Sequence, residues 1–419
     1  MRDENRLIHV AIPALNEAEY LPRTLDCLSA QKTKNVHVWV CVNQPDHWWS
    51  DKEKISLCQN NQQSLSLLLS MGHPNLHVID RSSPGKGWDR KSHGVGMARK
   101  VLMDAINRSA NGNDIMVSLD ADTLFGPHYL DSVREVFKAH PLAIALSNPY
   151  YHKLSGEPML DRAMLRYEIY MRHYAINMWR ISSPYCFTAL GSAISLPVRS
   201  YRRIGGITAK KSGEDFYFLQ KLRKTGWICN YNNEKVYPGT RYSDRVFFGT
   251  GPALIKGSLG NWDSYPVYDY RLFDRVSTLY KLFPVLYEKP VNTPLTPFLI
   301  RQFREEDPFR ALRENSASVG QFITACHQKI DGLRILQYLK SETGKNIRYD
   351  EASLIDFLHA HYPEVFVHEK SEKAPYGFSD KETAALKQLD FKTTDITLLN
   401  KIRNLLVILE EEYQKNDLK

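Results

Sequence analysis

No uninterrupted apolar run in the chain approaches the roughly 20 residues that a membrane-spanning helix needs, so membrane contact is expected only at the periphery. Paired cysteines are missing too. Cys27, Cys41, Cys58, Cys186, Cys229 and Cys326 stand apart without Cys-x-x-Cys spacing, which argues against a disulfide framework and a zinc site and leaves reduced, mostly buried thiols. There is no arginine-rich array and no Cys-Cys-His-His spacing, and nucleic acid is not an expected partner. Met1–Arg6 runs into a strand-like Leu7–Ile12 with no long apolar segment before it, so no secretion signal is expected. The chain is expected in the cytoplasm, at most peripheral at the inner face of the membrane.

What is present fits a globular enzyme. The 419 residues are 43% hydrophobic, enough for a large core and two or so domains. Lysine and arginine exceed aspartate and glutamate by 55 − 47 = 8, which favours anionic partners such as nucleotides, phosphorylated substrates or a membrane surface.

Leu7–Ile12 and Val36–Val42 are β-branched-rich runs separated by an amphipathic Leu21–Leu28, a β-α-β opening. Helical spacing at 50–70, a strand at Leu76–Ile79, a helix at His93–Ile106 and a strand at Ile115–Leu119 continue an alternation that predicts a mainly parallel, doubly wound α/β sheet. Pro158–Trp179 carries a helical apolar stripe whose aromatics suit core packing or stacking on a sugar, and Ala193–Leu196 reads as a strand. Beyond Tyr268 the composition changes: Pro284, Pro290, Pro294 and Pro297 punctuate it and helical stripes follow, such as Val319, Phe322, Ile323, Cys326, Ile330 and Leu333. Two domains are expected, 1–265 and a mostly α-helical 266–419. A last stripe, Leu398, Ile402, Leu405, Leu406, Leu409 and Tyr413, suits docking on the core, with a dimer or membrane-surface contact as the alternative.

Ile115–Leu119 delivers Asp120-Ala121-Asp122 at its carboxyl end, where open α/β sheets bind ligands, and such an acid pair suits a divalent cation carrying a diphosphate. Gly213-Glu214-Asp215 opens a helix-like segment further on. Asn16 and Glu19 have the spacing of an N-cap and a capping-box acid. Pro84–Lys91, with Lys86, and Gly94–Arg99 combine cations with small residues that would let backbone donors approach phosphate. As a Rossmann fingerprint the latter fails, because Arg99 stands where the third glycine is needed. The stretch from Gly239 to Pro252 is dense in glycine, hydroxyls and arginine. It reads as a lid hinged at Gly249 and Gly251, with Arg241 and Arg245 in reach of a diphosphate, or as a rigid connector.

In this order the motifs resemble glycosyltransferase family 2, inverting nucleotide-sugar transferases of GT-A fold. Pro13-Ala14-Leu15-Asn16-Glu17 is similar to that family's Pro-x-x-Asn-Glu opening, Gly94, Ala98 and Arg99 to its Gly-x-x-x-Ala-Arg segment, and Asp120-Ala121-Asp122 to its metal motif. The run from Gly191-Ser192-Ala193 through Arg202–Ile207 to Glu214-Asp215 resembles the approach to its catalytic Glu-Asp. The resemblance covers about residues 7 to 226 and implies Asp215 as general base with Glu214 beside it, and Asp122 and Asp120 on Mg2+ or Mn2+. It implies Pro13, Asn16, Glu17, Arg99 and Asp120 around a nucleotide-sugar donor, to which the readings of the residues themselves add Asn43, Lys86 and Arg245. Hexosyl or N-acetylhexosaminyl transfer to a glycan, lipid-linked or small-molecule acceptor would follow.

The chain departs from the family after the second strand. Where an Asp-Asp pair is usual it reads Asn43-Gln44-Pro45-Asp46, which leaves the base open, with Asp46 as a substitute contact, and no histidine follows Asp215 within the next hundred residues. A nucleotide-sugar-binding protein without turnover is therefore the alternative to an active transferase.

Overall fold

The computed structural model describes residues 6–90, 92–211, 213–243, 249–343, 349–366 and 377–418. They form two compact units, one from the described residues of 1–164, 187–261 and 414–419, the other from those of 165–186 and 262–413.

The first unit runs through β1 (Ile8–Ala14), α1 (Leu21–Ser29), β2 (Val36–Asn43), α2 (Ile55–Ser70), β3 (Leu76–Arg81), α3 (Val95–Ser109), β4 (Ile115–Ser118) and β5 (Leu124–Phe125). It continues with α4 (Tyr129–Ala139), β6 (Ala145–Ser147), α5 (Pro158–Arg180, whose later residues belong to the second unit), β7 (Ile194–Pro197) and α6 (Val198–Arg203). Then come α7 (Glu214–Arg223), β8 (Ile228–Cys229), β9 (Val236–Tyr237) and α8 (Thr250–Ser258).

Seven strands make one sheet in the order β3-β2-β1-β4-β7-β6-β8. β1 lies parallel to β2 and β4, β2 to β3, and β6 to β8, while β7 runs antiparallel to both β4 and β6. The sheet is thus mainly parallel, as expected. Every residue of β1 and β4 is buried, which is why these strands read as continuous apolar runs rather than alternating ones. β5 and β9 pair antiparallel with Leu124 opposite Tyr237 and Phe125 opposite Val236. Continued by two residues, that register sets Gly239 across from Asp122.

Several local expectations change. The helix expected over 50–70 is a short 3-10 turn at Asp46–Ser50 followed by α2. Asn16 and Glu19 form no capping box, because α1 starts at Leu21 with Pro22 in its first turn and no side-chain cap. Asn16 instead takes a left-handed conformation at φ 57°, tolerable for asparagine, and its N–H donates to Asn61 Oδ1 at 2.8 Å. Gly94 (φ 109°) opens α3, which packs on β1 and β2. The space beside Gly94 and Gly96 holds the backbone of Lys210 and Lys211 rather than admitting a phosphate.

The second unit is built from the later part of α5 and from α9 (Tyr270–Glu288), α10 (Thr296–Phe303), α11 (Arg310–Glu314), α12 (Val319–Lys329), α13 (Gly332–Thr343), α14 (Asp350–His361), α15 (Asp380–Leu386) and α16 (Ile396–Asn416). Pro284, expected as punctuation, lies inside α9, where its buried neighbour Phe283 holds the turn in the core. Tyr167, Leu398, Ile402, Leu405, Leu406 and Leu409 are buried, so both helical stripes serve core packing. Charges are buried with them: Glu168 binds Arg172 at 3.1 Å and also Arg403, while Arg172 binds Glu410 at 2.5 Å. Among the described residues no helix is long and apolar enough to cross a membrane.

A Cβ on Gly96 would lie 2.2 Å from the Lys210 carbonyl oxygen, a backbone atom with little freedom to retreat. Gly96→Ala is therefore expected to lower stability by about 1–3 kcal/mol from overpacking, despite a gain of up to about 1 kcal/mol in helix propensity. Denaturant unfolding measures it, and an unchanged midpoint would show that the Lys210 backbone steps aside.

Candidate functional site

The acids following β4 are fixed by side chains from other elements. Thr24 of α1 donates its hydroxyl to the carbonyls of Ala121 and Thr123 at 2.8 and 3.1 Å, which holds the Asp120-Ala121-Asp122 turn open at the end of the sheet. Arg99, in α3, points into the same place and is fully buried. Its Nη2 donates to Asp120 Oδ1 at 2.9 Å and its Nε to Glu214 Oε1 at 3.1 Å. Nη1 donates to the Ser118 hydroxyl and, at 3.0 Å, to the Gly191 carbonyl. A side chain at Gly191 would strike this guanidinium at 2.4 Å. Burial alone would lower the Arg99 pKa, but Asp120 and Glu214 outweigh it and hold the group charged.

A second arginine clamps the other acid. Arg241 donates from Nε and Nη2 to Asp122 Oδ2 at 3.0 and 2.6 Å, and from Nη2 to both oxygens of Glu17 at 2.7 Å. Its guanidinium carbon stands 3.9 Å from the centre of the Tyr20 ring, a cation–π contact. Gly239 approaches so closely that a Cβ there would be 2.9 Å from Asp122 Oδ2. Burial raises the Asp122 pKa, partly offset by Arg241.

Asp215 follows Glu214 at the start of α7, half-buried, with its Oδ1 accepting the Phe216 N–H at 2.7 Å. Burial and then the charge of Glu214 push its carboxyl up to about 7, against the opposing pull of Arg99. A carboxylate so tuned is a base for near-neutral pH.

Other expected contacts are already committed to the protein itself. Pro13 is buried within β1. The buried Asn43 donates to the Ala14 carbonyl at 2.9 Å and accepts from Trp88 Nε1 at 3.1 Å. Asp46 accepts the N–H groups of Gly85 and Gly87 at 2.8 and 3.3 Å, so the glycine-rich run spends those donors on Asp46 rather than on a phosphate. Lys86 is exposed and pairs with Asp80 at 3.1 Å. Arg245 lies outside the described residues. Gly251 is inside α8, where a Cβ would meet the Ser243 carbonyl oxygen at 2.4 Å, so the close packing there needs a glycine.

The structure therefore brings Glu17, Arg99, Asp120, Asp122, Glu214 and Asp215 together and leaves Lys86 paired elsewhere. Sequence reading saw Arg241 but aimed it at a diphosphate. It missed Tyr20 and Ser118, which carry no motif of their own, and it did not foresee Gly239 lying against Asp122. The β5–β9 register would have shown Arg241, but two-residue strands are too short for periodicity to reveal.

No protein-family model and no curated protein matches the chain. Among solved structures it aligns with S. aureus TarS 1–349 in complex with UDP-GlcNAc at 14% identity, over 98% of this chain and 92% of that one, TM-score 0.42. The mannosyltransferase PcManGT from Pyrobaculum calidifontis, in complex with GDP-Man and Mn2+, aligns at 13% identity over 97% and 87%, TM-score 0.36. Glucosyl-3-phosphoglycerate synthase from Mycobacterium tuberculosis in complex with UDP aligns at 12% identity over 61% and 79%, TM-score 0.34. These likenesses are too remote to argue from, and the sheet order stands on its own hydrogen bonding.

Because the Asp215 carboxyl holds its proton more tightly in the folded chain, its ionisation costs stability as pH rises from the usual carboxylate range through about 7. Asp215→Asn should therefore raise the melting temperature at pH 8 and change it little near pH 4. Scanning calorimetry at both values tests this, and a variant less stable at pH 8 would contradict the burial cost.

Proposed function

We propose that the chain is an inverting glycosyltransferase of GT-A type that moves a sugar from a nucleotide-diphosphate donor to an acceptor hydroxyl. The observation that carries this reading is the bridge through Arg99. One buried guanidinium ties Asp120, just past the end of a parallel strand, to Glu214, the neighbour of Asp215, whose carboxyl is pushed up to about 7.

Asp215 is the general base. A sugar hydroxyl is a weak nucleophile, and a carboxylate within hydrogen-bond reach takes its proton as the oxygen attacks the anomeric carbon from the face opposite the diphosphate. The new bond forms on that face as the bond to diphosphate breaks, which inverts the centre. Glu214 positions Arg99, and Asp120 keeps a partly exposed carboxylate available to the donor ribose or a metal-bound water.

The residues fit a divalent cation of the Mg2+ or Mn2+ kind. Five carboxylates, Glu17, Asp120, Asp122, Glu214 and Asp215, gather around two guanidiniums, Arg99 and Arg241, leaving an acidic surplus of hard oxygen donors. Asp122, whose ionised form burial disfavours, would be stabilised as a carboxylate by such an ion. Among the described residues no cluster of three histidine, cysteine, aspartate or glutamate side chains could hold one. Asp122 with Asp120 would therefore share it with diphosphate oxygens and water, as small hard cations commonly bind. When bound, it supplies charge neutralisation for the leaving diphosphate.

The test is nucleotide release from a panel of UDP- and GDP-linked hexoses and N-acetylhexosamines. Release is expected with one donor class in the presence of acceptor. Binding without release across the panel would favour a nucleotide-sugar-binding protein. Asp215→Asn should cut turnover by about 10²–10⁴-fold, the range for losing a general base, with donor binding nearly intact. Retention of a tenth of turnover would remove Asp215 from that role. Because Asp215 must be unprotonated to accept, wild-type kcat/KM should rise with pH and level off above about 7.

A further inference from the structure

Arg241 and a divalent cation would compete for the same carboxylate, that of Asp122. Both donors that Arg241 sends to Asp122 end on Oδ2, at 2.6 and 3.0 Å, whereas a Mg2+ ion sits about 2.0–2.1 Å from a carboxylate oxygen. Two cations cannot share that atom closely in a buried place, where their repulsion is poorly screened. A side chain at position 239 would crowd this same oxygen, so little room surrounds it. The remaining anchors of Arg241 do not involve Asp122. Glu17 takes its Nη2 with both oxygens, and Tyr20 stacks on its face.

We propose that Arg241 is a resident counter-ion of Asp122 that must leave Oδ2 before a divalent cation binds there, and that this exchange couples metal binding to nucleotide binding. The inference rests on the metal-dependent reading above. A cation arriving alone gains one carboxylate while an arginine is displaced in a buried setting. A cation arriving with a diphosphate brings extra oxygen ligands, and its negative charge receives the released guanidinium, which Glu17 and Tyr20 keep close by. Arg241 is thus a positioning residue that makes the metal and donor enter together.

Mn2+ binding to the full chain, read from the loss of the free-ion electron paramagnetic resonance signal, tests this with and without UDP or GDP. For the wild type, nucleotide should tighten Mn2+ binding by about tenfold or more, within the usual 5–150-fold span of coupling between ligands. Arg241→Gln should bind Mn2+ alone about tenfold more tightly than the wild type and lose most of the nucleotide enhancement. Adding Asp122→Asn should abolish that gain. A gain that survives Asp122→Asn would place the ion elsewhere and overturn the proposal. Equal Mn2+ affinity of wild type and Arg241→Gln without nucleotide, with binding to both in its presence, would overturn the counter-ion role alone. No Mn2+ binding to either protein even with nucleotide would end the metal-dependent reading, and this inference with it. Thermal unfolding of each variant confirms that the compared chains are folded.

Discussion

The site depends on one buried guanidinium. Arg99 spends its donors on Asp120, Glu214, Ser118 and the Gly191 carbonyl, groups contributed by β4, the turn before β7 and the first turn of α7. A charge buried so deeply is tolerable only with its partners in place, and removing one partner of a buried pair typically costs about 3–5 kcal/mol. Helix α3, strand β4 and helix α7 are thus locked into one arrangement by the group that aligns the acids. Where a glycine lets the parts come close, at Gly96 against Lys210 and at Gly191 against Arg99, a side chain would push that arrangement apart.

Arg241 repeats the device at the second acid, joining Asp122 after β4 to Glu17 after β1. Each arginine therefore spans two carboxylates that are distant in sequence and adjacent in space. Preorganisation of this kind lets a site meet developing charge without rearranging its own dipoles. Asp215 stands beside the first of these clamps, and the neighbouring Glu214 charge together with burial gives it a proton affinity suited to neutral pH.

The sheet was legible because β1, β2 and β4 are runs rich in apolar residues, fully buried in β1 and β4 and over the last half of β2, and separated by helical periodicity, the pattern of a buried parallel sheet. Asp120, Asp122 and Asp215 were legible as acids placed at a strand end and a helix start. Their pairings with the arginines were not. Arg99 lies 115 residues from Glu214, and Arg241 lies 119 from Asp122 and 224 from Glu17, separations that no local pattern encodes. The capping box at Asn16 misled for a local reason: its residue types were right, but Pro22 moves the start of α1 past them. The glycine-rich run misled for a longer-range one, since Asp46 takes the backbone donors that its composition seems to offer a ligand.

The contrast between buried and exposed charge has a consequence for ionic strength. Mobile ions screen exposed charges over a Debye length of about 8 Å at physiological salt, but they do so much less where water is excluded. The Arg99 pairs with Asp120 and Glu214 involve a guanidinium that is 2% exposed, whereas the Lys86–Asp80 pair involves an ammonium that is 62% exposed. Added salt will therefore weaken the long-range attraction of this basic chain for anions and loosen its rim. The alignment of its acids will stay as it is. Salt sensitivity would therefore report on the exposed charge of the chain, not on how its buried acids are held.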